Sequence, residues 1–163
     1  TINNGVRMRA WYDIVGMDFP TRADSAGIEE SIVQVEALIA REQARGIAPD
    51  RLLLAGFSQG GAITLAAGLR RQVPLAGLIA LSTYLPGAAQ AKAHLAQAAT
   101  AQPVFMAHGT GDPVIPLVHA DQSARVLGEL GFDVQWHRYP MAHQVCAEEI
   151  RDLGDWMARR FAL

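Results

Sequence analysis

A single cysteine, Cys146, stands in these 163 residues, so no internal disulfide can close, and no partner sits at metal-ligand spacing from it. It reads as a small packing side chain. Charge of one sign is also lacking: 14 basic residues meet 16 acidic ones for a formal charge of −2, and neither sign forms a block. Electrostatics therefore points to no nucleic acid and no anionic membrane. No stretch approaches the roughly 18 apolar residues of a membrane span, and no basic start leads into an apolar run of the signal-peptide kind. Linkers, repeats and low-complexity segments are missing too. The expectation is a single cytoplasmic domain whose specificity lies in a pocket.

Half the residues are hydrophobic, enough for a sizeable core in one domain. Ile28, Ile32, Val35, Leu38 and Ile39 recur at helical spacing, with Asp24 or Ser25 as caps and Arg45-Gly46 as the close. "RLLLAGF" (Arg51 to Phe57) is short, apolar and unalternating, which suits a strand covered on both faces. "AGLIALS" (Ala76 to Ser82) and "PVFMAHG" (Pro103 to Gly109) read likewise, and "DVQWHRY" (Asp133 to Tyr139) reads as a strand with one wetter face. Helical patterns lie between and after them: Ala62 to Leu69; Leu117, Ala120, Ala124, Leu127 and Leu130; Ile150, Leu153, Trp156, Met157 and Phe161. This alternation predicts an α/β fold, a mostly parallel sheet with helices on both faces and its ligand site beyond the strands' carboxyl ends.

Ser58 falls at such an end, between Gly56 and Gly60 in "LLLAGFSQGGAITLAAG". Turns collect Gly and Ser for conformational reasons alone, so a structural turn is one reading. A nucleophile elbow is the other. A sharp strand-to-helix turn strains its central residue and crowds the backbone two positions to either side, leaving room only for small residues at Gly56 and Gly60. The helix that follows brings its amino terminus, and the amide of Gln59, to bear on an oxygen anion. Gly61 lets helix and strand approach closely.

A serine hydroxyl needs an imidazole to take its proton and a carboxylate to orient that imidazole. In the order serine, acid, histidine, "PVFMAHGTGDPVIP" places Asp112 in a loop past a strand end, and "YPMAHQVCAEEI" places His143 between the last strand and the last helix. Taken alone, Asp112 reads more readily as a helix or turn cap; in order with Ser58 and His143 it reads as the acid. His94 reads as solvated, His119 as part of a helix, His137 as the wet face of a strand, and His108 as a residue shaping the Asp112 loop. A metal set of His108, Asp112 and His143 is a further alternative, although no His-Glu-x-x-His pair shares a helix face.

The chain resembles the carboxylesterase/phospholipase group, bacterial carboxylesterases whose relatives include the acyl-protein thioesterases. "WYDI" (Trp11 to Ile14), "LAGFSQGGA" (Leu54 to Ala62), "IALSTYLP" (Ile79 to Pro86), "HGTGDPVIP" (His108 to Pro116) and "YPMAHQV" (Tyr139 to Val145) carry the resemblance. It implies an α/β-hydrolase fold with Ser58 as nucleophile, Asp112 as acid, His143 as base and the Gln59 amide as one oxyanion donor, with no metal and no cofactor. The implied activity is a serine carboxylesterase that hydrolyses small to medium acyl esters through an acyl-enzyme. An acyl-protein thioesterase or lysophospholipase is the alternative within enzymes, and a non-catalytic domain keeping the elbow as a turn is the alternative outside them. The expected partner is a small-molecule ester, with no stable membrane insertion and a homo-oligomer compatible.

Members of that group carry several dozen residues ahead of the "WYDI" region, including the first strands of the sheet and a His-Gly-Leu-Gly loop that holds the second oxyanion donor. That stretch is absent here, and Arg9-Ala10 stands where relatives tend to have Pro-Ser. Residues 1–163 are therefore expected to form a partial domain. The strand Arg51 to Phe57 should have one open edge, with further chain or a partner's segment beside it.

Overall fold

The computed structural model describes residues 7–16, 19 and 23–161. Helix α1 spans Ser25–Ala44 and starts where the Asp24 carboxylate accepts the amides of Ala26 and Gly27, both at 3.1 Å. It ends at Arg45, and Gly46 supplies the left-handed turn with φ +91°. Then follow β1 (Leu53–Phe57), α2 (Gln59–Gly68), β2 (Gly77–Leu81), the short α3 (Ala91–His94), β3 (Val104–Gly109), α4 (Leu117–Glu129), β4 (Val134–Tyr139) and α5 (Ala147–Phe161). All four strands run parallel in the order β1-β2-β3-β4. Each strand expected from the sequence forms, trimmed by one or two residues.

Strand alternation divides the core into two layers. Leu78, Ala80, Val104 and Met106 meet α1, α2 and α4 on one face, through residues such as Ile32, Val35, Leu65 and Leu127. Ile79, Phe105 and Ala107 meet Trp156 of α5 on the other. Trp156 and Phe105 are fully buried, and side chains of this kind contribute on the order of 1.5–3 kcal/mol each. Helix α2 is buried along most of its length, which is why an apolar run with three glycines and no charge is stable there.

Three expectations need correction. β1 is not covered on both faces: Ala55 is exposed and Phe57 is 40% exposed. The reason is topological, because α5 lies over β3 and β4 and leaves the outer end of that face bare. Leu38 of α1, and Ile150 and Met157 of α5, are exposed rather than in the core. Each of those helices is covered along a narrower stripe than its apolar pattern implies.

Among the described residues no strand pairs with the outer edge of β1. Residues 1–6 lie outside the described residues. Residues 7–16 run elsewhere: Ile14 bridges Ala23, and the Trp11-Tyr12 pair is fastened to α2. No helix among the described residues is long and apolar enough to cross a membrane.

Candidate active site

Ser58 stands between β1 and α2 with φ 55° and ψ −121°, a backbone conformation that a residue with a Cβ adopts only under strain. The turn is tight enough that a Cβ on Gly56 would lie 2.2 Å from the Gly60 carbonyl. Gly60 is less constrained, since a Cβ there would meet only the Trp11 indole nitrogen, at 3.3 Å. The small-residue demand read from the sequence is therefore severe at one of the two positions. Gly56→Ala should leave little folded protein, while Gly60→Ala should melt within about 1 kcal/mol of wild type. Equal melting temperatures for the two variants would contradict this account of the elbow.

His143 and Asp112 meet Ser58 at the carboxyl ends of the strands. The His143 Nε2 lies 3.0 Å from the Ser58 Oγ, and its Nδ1 lies 2.7 Å from the Asp112 Oδ2. A carboxylate can only accept, so Nδ1 carries the proton and Nε2 is left bare towards the serine hydroxyl. The Phe57 ring packs on the imidazole at 4.8 Å.

Asp112 is a cap as well as a partner of histidine, so the two readings of it are not exclusive. Its Oδ1 accepts the amides of Val114 (2.8 Å) and Ile115 (2.9 Å), closing the turn, while Oδ2 faces His143. Burial raises the Asp112 pKa, but the Ile115 amide, His143 and the Val114 amide outweigh it and hold the carboxyl below its ordinary range. Asp112 is therefore ionised at neutral pH.

The loop bearing His143 is laced to the loop bearing Asp112. The amide of Thr110 donates to the Tyr139 carbonyl (2.8 Å) and that of Gly111 to the Met141 carbonyl (3.1 Å). A Cβ on Gly109 would lie 2.3 Å from the carbonyl oxygens of Met141 and Ala142, so only glycine lets the histidine loop cross there. Buried Ser82, with φ 47°, reaches the same loop through its hydroxyl, 3.5 Å from the Gln144 carbonyl. Sequence reading overlooked Gly109 and Ser82. The signal available was their place at strand ends in line with Ser58.

The other histidines lie apart from this chain of contacts, except His108. That residue is fully buried, and its Nε2–H donates to the Ile115 carbonyl at 2.9 Å and lies 3.4 Å from the Asp112 Oδ2. Its ring nitrogen is thus engaged in holding the Asp112 turn. His94 is exposed, His119 stacks on Phe19 within α4's neighbourhood, and His137 stacks on Phe105. Cys146 is half-buried against the Trp156 layer. Gln59 holds the adjoining segment, its side chain accepting the Trp11 amide (3.2 Å) and donating to the Tyr12 carbonyl (3.0 Å).

Burial pushes the His108 pKa down, against the opposing pull of the Ile115 carbonyl and the Asp112 carboxylate. In the unfolded chain the ring takes up a proton near pH 6.5, whereas the folded protein resists it. Stability from this group is full above that pH and is lost as pH falls below it. The melting temperature should therefore drop from about pH 7.5 to about 5.5, and less steeply in His108→Gln, which retains an amide donor for Ile115. Parallel curves for the two proteins would rule out His108 as the source.

The chain matches the phospholipase/carboxylesterase family model over residues 1–159. It is 37% identical over 173 residues to acyl-protein thioesterase 1 of Mycosarcoma maydis, covering 98% of this chain and 72% of that protein. With acyl-protein thioesterase 1 of Neurospora crassa it shares 38% identity over 168 residues, 98% of this chain and 69% of the relative. Among solved structures, Arabidopsis thaliana SOBER1 superposes with a TM-score of 0.88 at 29% identity, over 97% of this chain and 77% of that one. Zea mays acyl-protein thioesterase 2 superposes with a TM-score of 0.76 at 25% identity, over 93% and 72% of the two chains. With the fold and these relatives in agreement, the chain is an α/β hydrolase, a serine hydrolase acting on esters or thioesters, and it belongs to the phospholipase/carboxylesterase family.

Proposed function

We propose that this protein is a serine carboxylesterase acting on small to medium acyl esters, with Ser58 as nucleophile, His143 as general base and Asp112 as its orienting carboxylate. The observation that carries the reading is the continuous path Ser58 Oγ, His143 Nε2, His143 Nδ1, Asp112 Oδ2, with spacings of 3.0 and 2.7 Å. In acylation the hydroxyl proton passes to Nε2 as Oγ bonds to the carbonyl carbon, and the carbonyl oxygen becomes an anion facing the Gln59 amide. Collapse expels the alcohol or thiol, which takes the proton from Nε2. Water then repeats the sequence on the acyl-enzyme, releasing the acid and restoring Ser58. Asp112 stays ionised throughout and favours the imidazolium that forms.

The identity to acyl-protein thioesterases favours a second reading, in which the acyl group is a long chain held as a thioester on a protein. p-Nitrophenyl esters of graded chain length, run beside matched acyl thioesters, separate the two. The carboxylesterase reading expects kcat/KM to peak at short or medium esters. A peak at long thioesters would give the second reading, and no turnover of either series would contradict both.

The outer edge of β1, with which no strand among the described residues pairs, supports one further element of the reading: another strand, from further chain or from a partner, completes the sheet there and brings the second oxyanion donor. The unpaired Cys146 suits a reducing compartment such as the cytoplasm.

A further inference from the structure

Thr83 lies just past β2, almost wholly buried, and its hydroxyl donates to the carbonyl oxygen of Ser58 at 2.7 Å. That carbonyl also accepts the Ala62 amide of α2 at 3.1 Å. The Ser58 amide in turn donates to the Leu81 carbonyl at 2.9 Å, so both backbone groups of the strained residue are tied to the exit of β2. Thr83 itself cannot swing, because its Cγ2 fills the space beside Gly61, where a Cβ would lie 2.7 Å away.

The Ser58 carbonyl and the Gln59 N–H belong to one planar peptide unit and point in opposite directions from it. Whatever fixes the carbonyl fixes the N–H. A donor on the carbonyl also draws electron density from the amide nitrogen, so the opposite N–H becomes a stronger donor. We propose that Thr83 is a positioning residue that aims and polarises the Gln59 amide as an oxyanion donor. This inference rests on the reading of Ser58 as nucleophile and of that amide as its donor. The rotation of one peptide plane is the quantity at stake, and it matters most when charge develops on the substrate oxygen.

Thr83→Val preserves shape and removes the hydroxyl, while Ala62 still holds the Ser58 carbonyl. In the natural protein kcat should fall about 10- to 100-fold, less than the loss of a donor outright, with KM within about twofold of wild type. Affinity for an acyl trifluoromethyl ketone, which places an oxyanion in the site, should fall by the same factor as kcat/KM. Thr83→Ser should retain both. A valine variant within about threefold of wild-type kcat, or one that loses KM rather than analogue affinity, would overturn the proposal. If the valine variant does not fold, Thr83→Ser and Thr83→Cys form a second pair, both lacking the methyl group and differing in donor strength. The proposal requires the cysteine variant to lose kcat and the serine variant to keep it. A wild-type protein with neither turnover nor affinity for the analogue would remove the hydrolase reading itself, a result distinct from an active wild type with an indifferent valine variant.

Discussion

Ser58→Ala and His143→Ala are each expected to lower kcat by roughly 10⁶-fold, and the double variant to be no worse than either single one. The serine hydroxyl is a weak nucleophile without the Nε2 that faces it at 3.0 Å, and that Nε2 has no other proton to take. Removing one member therefore removes the function of the other. Losses that multiply in the double variant would show that the two act separately, and the path from Ser58 to Asp112 would then be a structural network. Melting temperatures should change little, since neither side chain fills the core: His143 is 17% exposed and Ser58 sits at the surface of the elbow.

Asp112→Asn should cost about 10⁴-fold in kcat with the fold intact. An asparagine retains an oxygen for the amides of Val114 and Ile115, so the turn stays closed. Its NH₂ group then faces the His143 Nδ1, which must become an acceptor. The ring consequently carries its proton on Nε2 and offers Ser58 a donor where it needs an acceptor. The buried His108, whose Nε2–H lies 3.4 Å from the same carboxylate oxygen, loses an anion at its side as well. Activity within tenfold of wild type, with another carboxylate proving essential, would reduce Asp112 to a cap.

The candidate site was legible in the sequence because it is local. Each of Ser58, Asp112 and His143 sits just past a strand end, and parallel strands in chain order bring such ends to one side of the sheet. Ser58 was further marked by glycines whose spacing reflects a real backbone approach at Gly56. What the sequence could not reveal depends on contacts between distant segments. The apolar run of β1 reads as a strand covered on both faces, yet α5 lies over β3 and β4 and leaves Phe57 exposed. Glu149 sits in the first turn of α5, where an acid ordinarily complements the helix dipole in water, but the fold buries it fully and burial raises its pKa. Thr83 reads as an ordinary β-branched residue after a strand. Only the fold shows that its hydroxyl reaches the carbonyl of Ser58.

Labelling of the natural protein with a fluorophosphonate, followed by digestion with trypsin, tests the central claim most directly. The peptide cut out between Arg51 and Arg71, residues 52–70, contains Ser58 as its only serine. The account predicts one phosphonyl group per chain, carried on Ser58 and absent from His143→Ala. A folded protein that takes up no label, or takes it up on another residue, would contradict it.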